Sequence, residues 1–211
     1  AIYDSTEERL ILVRDRFGVK PLFYAWDGTT LLFASEMKAI LASGISSRFQ
    51  REHVAELFLF SALTGERTLF EGVTSLRPGT VLTLSLRDGS WALHPFYVSR
   101  EKVDAAQYAV ARRLSVSESE TRLRDLLVAS VERRLISDVP VGTLCSGGLD
   151  SSIVTAIARN SSRDVRLFNV SSKGFADMDE VAYARAVARH VGAELVVYEV
   201  DRKDLQRGFV D

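Results

Sequence analysis

Residues 139–152 have the sequence Val-Pro-Val-Gly-Thr-Leu-Cys-Ser-Gly-Gly-Leu-Asp-Ser-Ser, and residues 153–158 continue it with Ile-Val-Thr-Ala-Ile-Ala. An apolar run, a Ser/Gly turn and an Asp-Ser-Ser segment followed by apolar residues predict a buried strand, a tight loop and a helix. The glycines allow a sharp turn close to a ligand, and the unpaired N–H groups in the first turn of a helix attract anions. The stretch therefore predicts a phosphate-binding loop between a strand and a helix.

Residue types distinguish this loop from two common ones. A P-loop needs a Lys and then a Ser or Thr after its second glycine, whereas Gly148 and Leu149 follow Gly147 here. A hydrolase nucleophile elbow around Ser146 needs a glycine two residues earlier, where Leu144 stands. A turn that only caps the helix is a further alternative, but capping requires one polar residue rather than four around two glycines. The composition of the loop thus favours a phosphate site of another kind.

Length and composition set the class of the protein. The 211 residues suffice for one large domain or two small ones, and 46% hydrophobic residues suffice for a core. A net charge of −1 argues against a nucleic-acid surface, and the single cysteine excludes an intrachain disulfide. The chain contains neither a secretory signal nor an apolar run of membrane length. We therefore expect small-molecule partners, no nucleic acid, no membrane, and a cytoplasmic location.

The first part of the chain has the pattern of a sheet with small helices. Turn residues separate short apolar runs, which predicts hairpins at 1–13 and 22–34 and a strand pair at 81–93. Short helices are expected at 35–41, with Ser35 as the cap, and at 52–60. The apolar pattern weakens and charges cluster between about 98 and 119, which suggests a linker there.

The second part alternates helices and strands. An amphipathic helix is expected at 121–135, with a stripe that includes Leu123, Leu126 and Val131. After the loop helix, strands at 165–170 and 195–198 flank a helix at 179–191, which predicts a parallel sheet. Ligands of such sheets bind beyond the carboxyl ends of the strands, where residues 146–150 and 170–173 would lie.

Two further segments accompany the loop. Residues 14–22 are Arg-Asp-Arg-Phe-Gly-Val-Lys-Pro-Leu, and residues 35–40 are Ser-Glu-Met-Lys-Ala-Ile. The Ser-Gly-Gly-Leu-Asp-Ser-Ser loop is similar to the pyrophosphate loop of the ATP pyrophosphatases, which cleave ATP between its α and β phosphates. Several families share that loop, but its position behind the other two segments makes the chain resemble a glutamine-dependent asparagine synthetase.

The resemblance implies a fold for each part of the chain. Residues 1–99 would be the C-terminal part of an α+β glutaminase domain of the N-terminal-nucleophile type, also called a type 2 glutamine amidotransferase domain. Residues 100–118 would be the linker. Residues 119–211 would be the N-terminal part of an α/β parallel-sheet ATP pyrophosphatase domain, the synthetase domain. The chain also opens on Ala1 without a methionine, and we expect it to be a fragment.

The resemblance also implies an activity. The whole enzyme would hydrolyse glutamine, pass ammonia through a tunnel, activate aspartate with ATP and Mg as β-aspartyl-AMP, and release asparagine, AMP and pyrophosphate. Its partners would be ATP, aspartate, and glutamine or ammonia, with a homodimer as a possible assembly. Asp150 would hold Mg, and the implied ATP-binding residues are Leu144, Ser146, Gly147, Gly148, Asp150, Ser151, Ser152 and Val170.

The chain departs from the family pattern in several places. The chain starts after the family's N-terminal catalytic cysteine and its glutamine-binding residues, so no residue here is assigned to glutamine hydrolysis. A second nucleotide motif and a distal lysine are also absent, so the chain alone is expected to be inactive. Residues 171–173 separate Val170 from Gly174-Phe175, whereas the family usually runs directly from strand into Gly-Phe.

The remaining polar residues have ordinary structural explanations. Cys145 lacks a histidine nearby in sequence, which argues against a nucleophile, and the three histidines lack metal-ligand spacing. Arg14 and Asp15 suggest a cross-strand ion pair, and Glu36 an acid at a helix start, while the resemblance favours a structural role for all three near the domain interface. Two other functions remain open: a relative that closes rings, as β-lactam synthetases and lasso-peptide cyclases do, and a non-catalytic nucleotide-binding relative.

Overall fold

The chain forms two compact units, Ala1–Tyr108 and Ala109–Asp211, which we call the first and second units. The computed structural model describes residues 1–45, 48–172, 180–201 and 204. The division between the units falls inside the range expected to be a linker, 100–118. That range is largely helical, because it contains a 3₁₀ turn (Ser99–Lys102), helix α3 (Ala105–Ala111) and the start of helix α4 (Val116–Arg134).

The early start of α4 has a local cause. The Ser115 hydroxyl accepts a hydrogen bond from the Glu118 backbone N–H at 3.3 Å, and the Glu118 carboxylate accepts one from the Ser115 N–H at 2.8 Å. This reciprocal capping box satisfies N–H groups that a helix start leaves unpaired. The charged segment is therefore a helix start, and the predicted beginning at residue 121 is too late.

Antiparallel sheets make up the first unit. Their strands are β1 (Ile2–Asp4), β2 (Arg9–Val13), β3 (Phe23–Trp26), β4 (Leu31–Ala34), β5 (Val73–Ser75), β6 (Thr80–Ser85) and β7 (Trp91–Pro95). One sheet has the order β1-β2-β6-β7 and the other the order β4-β3-β5, with helices α1 (Met37–Ala42) and α2 (Val54–Phe60) in the same unit. Both predicted hairpins are confirmed by antiparallel pairing of β1 with β2 and of β3 with β4.

The core of the first unit joins its two sheets. Tyr24 of β3 packs with Leu12 of β2 and with Leu82 and Leu84 of β6, and all four are buried. The alternation of buried and half-buried residues along β6 places one face of that strand inward. Burial of these side chains is the main stabilising term for the unit.

Arg14 and Asp15 bind backbone groups rather than each other. The Arg14 guanidinium donates to the carbonyl oxygens of Gly18, Lys20 and Leu76 and to the Ser75 hydroxyl. Asp15 instead accepts from backbone N–H groups at the start of the same loop. The expected Arg14–Asp15 ion pair is wrong, because each charge has partners in the loop and its neighbouring strand.

The cap of α1 also differs from the expectation. Glu36, rather than Ser35, occupies the N-cap position, and no side chain caps the helix there. The Glu36 carboxylate forms an ion pair with Lys38 Nζ at 2.8 Å. Glu36 therefore lies just before the first turn of α1.

The second unit contains a three-stranded parallel sheet of order β10-β9-β8, as expected for this part of the chain. Its strands are β8 (Gly142–Leu144), β9 (Arg166–Ser172) and β10 (Leu195–Val200). Helices α5 (Leu149–Ser161) and α6 (Val181–His190) make the two crossovers. The order β10-β9-β8 makes both crossovers run in the same direction, so right-handed connections place both helices on one face.

Two elements of the second unit are more exposed to solvent than the sequence suggests. The predicted buried strand is wrong for β8, because β8 is an edge strand among the described residues and Leu144 is exposed. On α4, Leu123 and Leu126 are exposed, and the apolar stripe is buried only near Val131, which packs on Ala158 of α5. A short apolar run predicts a strand but does not reveal which neighbours cover it.

None of the helices within the described ranges is both long and apolar enough to cross a bilayer.

Candidate functional site

The serine and glycine loop lies at the carboxyl end of β8. Its entry is fixed by Cys145, whose N–H donates to the Phe168 carbonyl oxygen at 2.7 Å and so continues the sheet by one residue. Gly147 has φ +92°, a conformation that favours glycine, and Gly148 is the N-cap of α5. Strand, loop and helix thus follow one another as the sequence predicts, and the loop faces the side of the sheet where ligands of parallel sheets bind.

Gly147 also allows a close approach between the loop and α6. A Cβ atom built at Gly147 would lie 2.6 Å from the Ala184 backbone nitrogen and 2.6 Å from Tyr183 Cβ. Distances that short are forbidden for real side chains, so only glycine fits there. The backbone of the loop is therefore held against the start of α6, an element that the sequence did not assign to the site.

The loop hydroxyls form a closed network with Gly148. The Gly148 N–H donates to Ser146 Oγ at 3.3 Å, Ser146 Oγ lies 2.9 Å from Ser151 Oγ, and the Ser151 hydroxyl donates to the Gly148 carbonyl oxygen at 3.1 Å. The Ser152 hydroxyl donates to the same carbonyl oxygen at 2.7 Å. The structure therefore brings together Ser146, Gly148, Ser151 and Ser152, with the hydroxyl protons used inside the loop.

Asp150 lies in the first turn of α5 with an exposed side chain. Within the described ranges, its carboxylate has neither a hydrogen bond nor an ion pair. Magnesium is commonly held by one or two carboxylates together with substrate phosphates, so a single carboxylate beside a helix start with several serine hydroxyls fits that ion. The same part of the chain contains no cluster of three or more His, Cys, Asp or Glu side chains suited to a metal held by protein alone.

Leu144 and Val170 share one face of the sheet beside the loop. Leu144 is paired with Phe168, two residues before Val170 on β9, so the side chains of all three project to the same side. Leu144 is 76% exposed and Val170 is 60% exposed, and the Phe168 and Tyr198 rings stack nearby with centroids 6.4 Å apart. An apolar surface therefore borders the loop, while the expected continuation at Lys173, Gly174 and Phe175 lies outside the described residues.

The other reactive side chains are Cys145 and the three histidines. Cys145 is 1% exposed, which agrees with a packing role rather than a nucleophile. His53 Nδ1 lies 2.8 Å from the Thr68 carbonyl oxygen in the first unit, and His94 and His190 are exposed on β7 and at the end of α6. The three histidines therefore lie on different segments of the chain, with His53 and His94 in the first unit and His190 in the second.

Sequence reasoning missed Asn169, which lies behind the loop. Its amide Nδ2 donates to the Cys145 carbonyl oxygen at 2.9 Å, and the side chain is 5% exposed. The signal was present in the sequence, because Asn169 is an amide side chain among the apolar residues Leu167, Phe168 and Val170. Buried polar side chains of this kind normally serve a specific partner.

Family models match both units. The Asparagine synthase model matches residues 122–210, and the Glutamine amidotransferase domain model matches residues 1–97. The first match contains the loop, and the second contains the segments at 14–22 and 35–40. The three segments noted in the sequence thus lie inside the two matched domains.

Individual relatives match most or all of the chain. Glutamine-hydrolysing asparagine synthetase 3 of Bacillus subtilis (strain 168) is 40% identical over 75% of this chain and 24% of its own length. Glutamine-hydrolysing asparagine synthetase 2 of the same organism is 29% identical over 97% of this chain and 28% of its own length. Amidase chry2 of Gibberella zeae is 30% identical over 100% of this chain and 32% of its own length. The chain therefore spans between a quarter and a third of the length of these curated relatives.

Proposed function

Since the chain belongs to the family of glutamine-hydrolysing asparagine synthetases, we propose that its second unit supplies the pyrophosphate wall of an ATP-dependent amide ligase. We call the enzyme that would join these residues to the remaining length of the relatives the parent enzyme. Its proposed reaction activates the side-chain carboxylate of aspartate as β-aspartyl-AMP and releases pyrophosphate. Ammonia derived from glutamine then attacks the activated carboxyl carbon, which forms the amide of asparagine and displaces AMP.

The observation that carries this proposal is the arrangement of polar groups at the start of α5. Three serine hydroxyls surround the Gly148 N-cap, and Asp150 follows in the first helical turn without a partner among the described residues. Helix N-termini combine unpaired N–H groups with the positive end of the helix dipole, and both favour phosphate. A cap for the helix alone does not require this many hydroxyls or an unpaired carboxylate.

The hydroxyl network suggests how phosphate would be accepted. In the structure the Ser151 proton points to the Gly148 carbonyl oxygen, and Ser146 and Ser151 share a further hydrogen bond. Hydroxyl protons rotate freely between acceptors. On binding, we expect the Ser146 and Ser151 protons to turn from their loop partners to phosphate oxygens, while the backbone stays in place. A pre-formed backbone of this kind stabilises charge on the leaving group without a large rearrangement.

Asp150 is proposed to hold Mg²⁺ on the phosphate side of the loop. A bound Mg²⁺ would neutralise negative charge on the departing pyrophosphate. Leu144 and Val170 are proposed to line the position of the adenine base, because their apolar face adjoins the loop. The ATP-binding set is therefore the one expected from the family, with Gly147 contributing the close contact to α6.

The first unit is proposed to be part of the glutaminase domain. No residue of the chain is assigned to glutamine hydrolysis, and the roles of its segments at 14–22 and 35–40 are structural within the unit. Proposed partners of the parent enzyme are ATP, aspartate, and glutamine or ammonia, with a cytoplasmic location. A homodimer is a proposed assembly.

A second candidate is amide formation on another carboxylate. The relative named Amidase chry2 matches the whole chain, so this pair of domains also occurs in a protein whose name does not specify asparagine synthesis. Ring closure of the β-lactam synthetase or lasso-peptide cyclase type would use the same adenylation step. The mass of the product distinguishes the two reactions, since ring closure loses water whereas asparagine formation exchanges a hydroxyl for an amino group.

The test of the proposed function is the fate of ATP. We expect the parent enzyme, given aspartate, glutamine, ATP and Mg²⁺, to release AMP and pyrophosphate in equal amounts. Phosphorus NMR of the reaction mixture separates these products from ADP and orthophosphate, whose formation would contradict the proposal. The 211-residue chain alone serves as the control and should form no AMP, because the distal motif and lysine expected from the family are outside it.

A further inference from the structure

We infer that Asn169 is a positioning residue that fixes the entry of the phosphate loop through the Cys145 carbonyl group. This inference rests on the proposed function for its catalytic consequence, although its structural part can be tested independently. The residue lies on β9, the central strand of the described sheet, and its amide reaches across to the end of β8.

Both polar groups of the Cys145 backbone are held by β9. Its N–H donates to the Phe168 carbonyl oxygen at 2.7 Å, and its carbonyl oxygen accepts from Asn169 Nδ2 at 2.9 Å. Cys145 is also the last residue before Ser146, whose hydroxyl begins the loop network. The hydrogen bond from Asn169 therefore sets the direction in which the chain leaves the sheet.

The amide oxygen of Asn169 helps to distinguish a positioning role from simple packing. Within the described ranges, Asn169 Oδ1 is buried without a hydrogen-bond partner. An unpaired buried acceptor destabilises a fold, so an apolar residue of similar shape would avoid that cost. The hydrogen bond that the Asn169 amide donates therefore explains an asparagine at this position, because an apolar residue has no donor. This division between donor and acceptor separates a positioning role from simple core packing.

Leucine provides the variant that separates the two roles. Asn169→Leu keeps the same number and branching of side-chain heavy atoms, removes the donor to Cys145 and also removes the unpaired acceptor. Loss of the hydrogen bond and relief of the buried acceptor oppose each other in stability, so we expect the variant to fold. Asn169→Asp keeps the shape but replaces the donor with an oxygen that faces the Cys145 carbonyl. Asn160→Asp, an exposed asparagine near the end of α5, is the matched control.

The structural part of the inference is measured on the 211-residue chain by amide NMR without ligand. We expect both Asn169 variants to shift the signals of Ser146, Gly147 and Gly148 and to speed hydrogen exchange at Cys145. The control should leave these signals unchanged. Wild-type signals at residues 145–148 in both Asn169 variants would overturn the inference, whether or not the proposed function holds.

The catalytic part is measured on the parent enzyme as pyrophosphate release. The loop is proposed to hold the leaving group, so we expect kcat to fall about tenfold in Asn169→Leu while KM for ATP changes little. A fall that matches only the loss of folded protein, or an unchanged kcat beside shifted loop signals, would overturn the catalytic consequence. If the wild-type parent enzyme releases no pyrophosphate, the proposed function fails, and the NMR result still decides whether Asn169 positions the loop.

Discussion

Asp15 in the loop after β2 of the first unit and Asp150 in the first turn of α5, directly after the loop that follows β8, both lie close to a glycine, yet their carboxylates are used in opposite ways. Asp15 accepts hydrogen bonds from the N–H groups of Phe17, Val19 and Lys20, at 3.0 to 3.1 Å. Asp150 has no such partner among the described residues and is exposed. The Asp15 carboxylate is bound by backbone groups of its own loop, whereas the Asp150 carboxylate remains available to a ligand.

This difference distinguishes a motif that serves the fold from one that we propose binds a ligand, although both look equally polar in sequence. In the first loop, Arg14 and Asp15 satisfy carbonyl and N–H groups of their own unit, so substitution should affect folding. In the second loop, hydroxyls pair with one another and can exchange those partners for an incoming acceptor. The comparison therefore predicts that substitutions in the first loop reduce stability and that many substitutions in the second reduce function.

The largest expected effect is that of Asp150→Asn in the parent enzyme. We expect turnover of ATP to fall about 100- to 1,000-fold, because a carboxylate that would hold Mg²⁺ against the leaving group is lost. Stability should change little, since the described residues give this carboxylate no bond to break. The measurement is the rate of pyrophosphate release beside the urea midpoint. Asp125→Asn, an exposed position on α4, is the control, and normal turnover in folded Asp150→Asn would refute the role.

Gly147→Ala tests whether the backbone of the second loop is rigid, in contrast to its hydroxyl groups, which can change partners. The added methyl would meet Ala184 and Tyr183 at 2.6 Å while the backbone has φ +92°, so we expect a loss of about 2 to 4 kcal/mol in the stability of the second unit. Gly192→Ala has φ +61° and no atom within 4 Å of the added methyl, and should cost about 1 kcal/mol.

The single cysteine provides the measurement for both glycine variants. Cys145 is buried in the second unit, so its reaction with a thiol reagent across a urea series reports unfolding of that unit. Equal midpoints for the two alanine variants would show that the loop backbone gives way near α6 and would weaken the case for a pre-formed site.

The features that could be predicted from the sequence depend on local chemistry. Turn residues and short apolar runs specify the two early hairpins, and the succession of β8, α5, β9, α6 and β10 specifies a parallel sheet. The serine and glycine loop could be located for the same reason, since glycines, serines and a helix start are adjacent in the chain. The capping box at Ser115 and Glu118 was also recognisable in the sequence, but the charged residues around it favoured the prediction of a linker.

The features that could not be predicted depend on partners distant in sequence. Arg14 donates to Ser75 and Leu76, about sixty residues away, and nothing beside Arg14 indicates those acceptors. Leu144 belongs to an apolar run, but only the strand order shows that β8 lies at an edge of the described sheet. Asn169 likewise acquires its role only when β9 lies beside Cys145. Side-chain roles at a site therefore require the tertiary arrangement.

The smallest expected effect concerns the pH dependence of the first loop. Hydrogen bonds from the N–H groups of Lys20 and Val19 hold the pKa of Asp15 below its ordinary value of 3.8. A carboxyl whose pKa is lower in the folded than in the unfolded state stabilises the fold above its unfolded pKa. That contribution is lost as the pH falls through the folded pKa. Asp15→Asn should therefore destabilise the first unit at pH 6 and have a smaller effect at pH 3.

Tryptophan fluorescence during urea unfolding measures this effect, because the two tryptophans, Trp26 and Trp91, both lie in the first unit. Glu52→Gln, at an exposed position in that unit, is the control and should shift the midpoint little at either pH. In Asp15→Asn, an asparagine oxygen can still accept some of the backbone hydrogen bonds but lacks the charge that strengthens them. A difference from wild type that is as large at pH 3 as at pH 6 would show that the carboxylate charge does not stabilise this loop, and the contrast with Asp150 would then rest on geometry alone.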